Sequence, residues 1–194
     1  MEKIIFHKET KTFHLYNEEI SYIMCVLENG HMGQLYYGKR IHDKPDFSYL
    51  VEKCGRPMTS YIFEGDRSFS LEHIRQEYPV YGTTDYRHPA IEIMQENGSN
   101  ISEFQYVGYE ILKGKPSLKG LPATYTESEE EAETLKIILK DSLTGAKLTL
   151  LYTIFSKGSV RSSTSAEPST DFSIFFNISS SLSNTDKIKI FPLS

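Results

Sequence analysis

Apolar and polar positions alternate along much of this chain with the period of two that a half-buried strand imposes. Phe13 and Leu15 alternate with His14 and Tyr16, and a polar Asn17-Glu18 turn follows. Ile20, Tyr22, Met24 and Val26 alternate again up to Glu28-Asn29-Gly30, where Asn-Gly supplies the positive φ angles of a tight hairpin. Leu35-Tyr36-Tyr37 begins a third strand, closed by Gly38-Lys39-Arg40, so this opening stretch reads as a meander. Ile91 and Ile93 repeat the pattern before Glu96-Asn97-Gly98, with Phe104 to Leu112 as the expected return strand. A further hairpin pairs Thr134–Lys140 with Lys147–Phe155 across Asp141-Ser142-Leu143-Thr144-Gly145. In its second arm Leu148, Leu150, Tyr152 and Ile154 share one face.

Helical spacing is scarce. Ser70 to Glu77 has room for a turn or two before Pro79. The acidic run Glu127–Glu133 permits a helix but leads straight into Leu135-Lys136-Ile137, and it reads as a solvated edge. Lys113-Gly114-Lys115-Pro116 through Gly120-Leu121-Pro122 is a loop fixed by two prolines. Short strands between Gly, Asn and Pro signals predict an all-β class: two packed, mainly antiparallel sheets with little helix. From residue 156 the texture changes, with 12 Ser in 39 positions against 10 in the preceding 155. Alternation then persists only at Phe172, Ile174, Phe176 and Ile178. The expected division is therefore a β-sandwich domain over 1–155 and a Ser-rich tail over 156–194 that is poorly ordered or out of frame.

Composition narrows the function classes. The chain of 194 residues is 39% hydrophobic and 24% charged, with 13 Tyr, 11 Phe and no Trp, which suits pleated surfaces. A net charge of −5 without a basic stripe argues against nucleic acid. The longest apolar run, Tyr22 to Leu27, falls far short of the roughly 20 residues of a membrane span. Charges at Glu2, Lys3, Lys8 and Glu9 are unlike a signal peptide, so a cytoplasmic location is expected. Cys25 and Cys54 form neither a redox motif nor a metal motif. The pairs His42/Asp43 with Asp46, and Asp85 with His88, supply too few ligands for zinc, so neither metal nor cofactor is expected.

Ordered words along the chain carry a resemblance. Thr12-Phe13-His14-Leu15, Ile20-Ser21-Tyr22-Ile23 and Leu35-Tyr36-Tyr37-Gly38-Lys39-Arg40 are followed by Phe63-Glu64-Gly65-Asp66 and Phe69-Ser70-Leu71-Glu72. Gln76-Glu77-Tyr78-Pro79 then leads into Tyr81-Gly82-Thr83-Thr84-Asp85-Tyr86-Arg87, and Gly114-Lys115-Pro116 into Gly120-Leu121-Pro122-Ala123-Thr124-Tyr125. With these words the chain resembles the N-terminal domain of glycoside hydrolase family thirty-six, the melibiase-type α-galactosidases. The resemblance implies a β-supersandwich standing before a (β/α)8 barrel, in a retaining hydrolase of terminal α-galactosides such as melibiose and raffinose. It also implies self-association, with this domain lining a neighbouring subunit's sugar pocket.

Retaining hydrolysis needs two carboxyl groups about 5 Å apart. The family places both on a barrel of about 250 residues, longer than this chain. Lys44-Pro45-Asp46 has Pro where the nucleophile motif has an aromatic residue, so no catalytic residue is expected within 1–194. The expectation is a truncated, non-catalytic and association-prone domain, with a free-standing carbohydrate-binding module as the alternative. Candidate rim residues are Asp46 and Phe47, Asp66 and Arg67, and Tyr81, Asp85 and Arg87. Asp85 and Arg87 can either bond sugar hydroxyls or form an internal ion pair that fixes their loop.

Overall fold

The computed structural model describes residues 2–55, 58, 61–95, 97–117, 126–167, 173–176 and 189–190. It is all-β. Strands β1 (Ile4–His7), β2 (Thr12–Tyr16), β3 (Ile20–Val26) and β4 (Met32–Lys39) form an antiparallel meander in chain order. After β5 (Ile91–Met94), a second four-stranded antiparallel meander comprises β6 (Phe104–Lys113), β7 (Ala132–Asp141), β8 (Lys147–Phe155) and β9 (Val160–Glu167). Strands β10 (Ser173–Phe176) and β11 (Lys189–Ile190) join β5 in a third sheet of order β11-β10-β5. Helical structure among the described residues is limited to 3-10 turns at Ser48–Leu50 and Glu129–Glu131, the latter within the acidic run. No described helix is long and apolar enough to cross a membrane.

Local signals place the hairpins well. Gly30, at φ 85°, closes the β3–β4 turn, with its N–H on the Leu27 carbonyl. The β7–β8 register runs from Ala132 opposite Phe155 to Lys140 opposite Lys147. Within the enclosed turn, the fully buried Asp141 carboxylate accepts the N–H groups of Glu103 and Thr144, at 2.6 and 3.0 Å, and the Thr144 hydroxyl. The expected return strand for β5 is a different case: β6 pairs with β7, and β5 pairs with β10. The chain turns aside after β5, since Gln95 and Ser99 close a local loop and the Ser102 N–H bonds the Tyr81 carbonyl. Glu96 lies outside the described residues, as do Gly120 to Tyr125, Phe172 and Ile178. Strand β9, in the Ser-rich segment, is not announced by alternation. Its positions opposite Ile154, Tyr152, Leu150 and Leu148 are Val160, Ser162, Thr164 and Ala166, two of them hydroxylic.

Two cores result. Phe13, Leu15 and Met24 of the first sheet pack against Leu135, Ile137, Leu148, Leu150 and Ile154 of the other meander. Each large apolar side chain fully buried there contributes about 2 kcal/mol. The opposite face of the first sheet is buried too. Ile23, Cys25, Leu27 and Leu35 lie beneath Phe47, Phe69, Leu71 and Ile74, which belong to the long β4–β5 connection. Strand β2 is consequently buried from Thr12 through Leu15 without a break.

The connection between β4 and β5 holds a strained turn. Gly82 and Asp85 bond each other's backbone, and Gly82, Thr83 and Thr84 all have positive φ, at 115°, 48° and 76°. A β-branched residue rarely adopts this conformation. Replacing Thr84 with Gly is expected to stabilise the domain by about 1 kcal/mol, after the greater freedom of the unfolded chain is subtracted. A higher urea midpoint at unchanged m would show it, and a lower midpoint would contradict it. Asp141→Ala leaves several enclosed donors without an acceptor and is expected to cost about 3 kcal/mol in the same measurement.

Candidate functional site

The loop after β4 is held from below by a chain of polar side chains. Ser21 of β3 is fully buried, and its hydroxyl oxygen accepts the Ile41 N–H at 3.0 Å. His14 of β2, equally buried, places Nε2 2.9 Å from that oxygen and Nδ1 2.7 Å from Asp43 Oδ1. His7 of β1 brings its Nε2 to the same carboxylate oxygen at 3.0 Å. Burial pushes the His14 pKa below the ordinary imidazole value, although Asp43 pulls the other way. Burial acts to raise Asp43, but hydrogen bonds from His14 and His7 outweigh it and hold the carboxyl below its usual range. The neutral ring therefore donates from Nδ1 to Asp43 and accepts the Ser21 hydroxyl proton at Nε2.

Serine, histidine and aspartate here have the connectivity of a nucleophilic triad. The surroundings give it another use. Ser21 is enclosed, and its oxygen is already occupied by a backbone donor. A cavity of about 400 Å³ under the same loop is walled by Thr12, Cys25, Leu35, Val51, Lys53 and Phe69, and Ser21 is not in its wall. The relay ties a loop to a sheet.

That loop carries the first candidate pair. Asp46 is exposed, and its Oδ1 accepts the Ser48 N–H at 2.7 Å; this bond, with a further one from the Ser48 side chain, lowers its pKa. Phe47 is fully buried, with its ring edge-on to His14 at 5.5 Å. Adjacent in sequence, the two residues serve opposite sides of the loop. Asp66 closes a tight turn with Phe63, and its Oδ1 accepts the Ser68 hydroxyl and N–H at 2.7 and 2.8 Å; the hydroxyl is the larger cause of its lowered pKa. Arg67 lies over the exposed Tyr61 ring at 5.6 Å.

At the third segment Asp85 is buried, and Arg87 donates to it from Nε and NH2 at 2.9 and 2.8 Å. The Gln76 amide donates to the same Asp85 Oδ2 that accepts Arg87 NH2, and its oxygen lies 3.0 Å from His31 Nδ1. Arg87 NH2 also caps the Leu71 carbonyl at 2.5 Å. Bonding to Asp85 raises its pKa further. The internal ion pair, one of the two uses open from sequence, is formed. Beside it the exposed Tyr86 meets Tyr81 edge-on at 5.6 Å.

The first two segments belong to the layer that covers the outer face of the first sheet, where Phe47, Phe63, Phe69, Leu71 and Ile74 pack, and the third reaches that layer through Arg87 on the Leu71 and Ile74 carbonyls. Sequence reasoning weighed Asp43 only as a metal ligand and did not single out His7, His14 or Ser21; the one clue was polar residues inside the strand patterns at His14 and Ser21. Among the described residues no group of three or more His, Cys, Asp or Glu side chains is arranged to hold a metal ion.

Comparison with known proteins agrees with this architecture. Residues 30–173 match the model of the glycosyl hydrolase family 36 N-terminal domain. The chain is 41% identical over 157 residues to alpha-galactosidase AgaA of Geobacillus stearothermophilus, covering 81% of this chain and 21% of that protein. It is 34% identical over 153 residues to alpha-galactosidase Mel36A of Lactobacillus acidophilus, covering 78% and 21%. The crystal structure of the alpha-galactosidase from Lactobacillus brevis superposes with a TM-score of 0.82 at 35% identity, over 89% of this chain and 23% of that one. A variant of AgaA in complex with raffinose gives 0.77 at 38%, over 85% and 23%. The chain thus spans about a fifth of the length of the curated relatives it matches. With a family model matched over most of its length and the β architecture shared with solved relatives, the chain belongs to the glycosyl hydrolase family 36 N-terminal domain family, the all-β front domain of α-galactosidases.

Proposed function

We propose that this domain serves a retaining α-galactosidase as a scaffold that contacts neighbouring subunits and rims a neighbour's galactoside pocket. The observation that carries this reading is the fixed loop after β4, where Ser21, His14, Asp43 and His7 hold the backbone while Asp46 faces solvent. A pre-set loop does not lose its conformational freedom on meeting a sugar. In this reading Asp46 and Asp66 accept hydroxyl protons, Arg67 donates, and Tyr81 with Tyr86 offers an aromatic face. Phe47 supports the loop from beneath, and Arg87 with Asp85 keeps the third segment in shape. The two carboxyl groups of the hydrolysis come from outside residues 1–194. Terminal α-galactosides such as melibiose and raffinose are the substrate class, and solved AgaA variants in complex with raffinose and with stachyose support it. We place the protein in the cytoplasm, a reading that the free thiols Cys25 and Cys54 support.

The rim assignment is tested in a chimaera whose residues 1–155 replace the matching segment of the Geobacillus relative. Asp46→Ala is expected to raise KM for melibiose about tenfold at unchanged assembly size, the loss of roughly one charge-assisted hydrogen bond. An unchanged KM would remove Asp46 from the rim. Titration of the chain alone with galactose and melibiose is expected to give no heat and no turnover. Heat without turnover would favour a sugar-binding module instead.

The clamp makes its own prediction. Asp43→Ala should cost about 2 kcal/mol and speed amide exchange at Ile41 while the β7–β8 hairpin keeps its protection. Because the folded His14 pKa is depressed, the unfolded chain takes up the proton first. Stability from this group is complete above about pH 6.5 and declines as pH falls below it. An NMR titration of the His14 ring with a midpoint above 6.5 would contradict this.

A further inference from the structure

On the side of the sandwich where β4 and β9 are outermost, a carboxyl group lies between the two meanders. Residues Arg75 to Glu77 run beside the start of β4, with the Gln34 N–H on the Arg75 carbonyl at 2.9 Å and the Glu77 N–H on the Met32 carbonyl at 2.8 Å. The Tyr22 hydroxyl of β3 donates to the Glu77 carboxyl, 2.6 Å from each oxygen. The Tyr152 hydroxyl of β8 bonds it from the opposite sheet. The two rings are stacked with centroids 6.0 Å apart. Glu77 thus joins the meanders through a pair of phenols. The titratable and polar groups around it are Tyr22 from β3, Tyr37 and Gln34 from β4, Tyr152 from β8, and Tyr78 of its own segment, which bonds Thr164 of β9.

We propose that Glu77 is a proton-controlled latch between the two four-stranded sheets, joining β3 to β8 in its neutral form and loosening the β4–β9 side when it ionises. A buried carboxylate is costly unless its charge is compensated, and no cation is among the groups named around Glu77. Burial accordingly pushes the Glu77 pKa up to about 7 from an ordinary 4.5, against the pull of Tyr22 and Tyr152, whose hydrogen bonds favour the anion. The folded chain keeps its proton where the unfolded chain has lost it. The contribution of the latch is therefore complete below about pH 4.5, declines as pH rises to about 7, and stays lost above that. His14 and His31, both depressed by burial, act in the opposite sense below about 6.5. A comparison with a variant at position 77 isolates the latch from them. The proposal is independent of the sugar-pocket reading, because it concerns the 1–194 chain alone.

The test is denaturant unfolding of the chain and of E77Q from pH 4.5 to 8. The folding constant of the parent relative to E77Q should fall on the order of a hundredfold between pH 4.5 and 7, then level off. A ratio that does not change with pH would overturn the proposal. If E77Q does not fold, a carbon NMR titration of the parent's glutamate carboxyls decides: a midpoint near 7 at Glu77 supports the latch, and one near 4.5 overturns it. Tyr22→Phe should move that midpoint higher still, and a lower midpoint would remove Tyr22 as the partner.

Discussion

The central strands of the first β-meander, β2 and β3, are enclosed on both faces, and much of the domain's character follows from that enclosure. Their inner face meets the second meander, and their outer face lies under the covering segments around Phe47, Phe69, Leu71 and Ile74. Strands in this position have no solvent side on which to leave a polar group, and a buried polar group without a partner is costly. His14 and Ser21 fall on the covered outer face, so the fold must bring partners to them. It does so by drawing Asp43 and the Ile41 N–H inward from the next loop. The position of the loop and the satisfaction of the core are one event.

Much of the fold was legible because its signals are local. Alternation and Asn-Gly located β2 and β3, and the Asp141–Gly145 turn set the β7–β8 hairpin. Where pairing is distant, the sequence offered nothing comparable. The partner of β5 is β10, some eighty residues on, with no turn between them to announce it. Strand β9 has Ser162 and Thr164 opposite Tyr152 and Leu150, so its pattern is not an apolar alternation. The candidate site divides the same way. Asp85 and Arg87 stand two residues apart, and their pairing could be read as one of two options. His7, His14, Ser21 and Asp43 come from separate segments and form no motif. Asp46 and Phe47 looked like one unit, yet one is solvated while the other is core.

The hydrogen-bonded carboxyl groups of this domain are accommodated in different ways. Asp141 gathers backbone N–H groups and a threonine hydroxyl, Asp85 has a guanidinium and an amide, and Asp43 has two imidazoles. Glu77 has hydroxyls. At Glu77 burial outweighs the hydroxyl donors and pushes the pKa up, whereas at Asp43 the hydrogen bonds from His14 and His7 outweigh burial and hold it down. Loops that must stay put are held by the first kinds, and the seam between the meanders carries the last.

Enclosure on both faces also changes what specifies strand register. In a sheet with one wet face, a slip of one residue turns apolar side chains outward, and the penalty is immediate. In β3 both sets of positions are apolar, with Tyr22 and Met24 on one side and Ile23 and Cys25 on the other, so such a slip would expose little. The discriminating residues are then the polar ones. Shifted by one place, Ser21 would enter the interior of the sandwich, and His14 would lose its acceptor. The polar minority on these strands acts as the alignment key that their hydrophobic majority cannot provide.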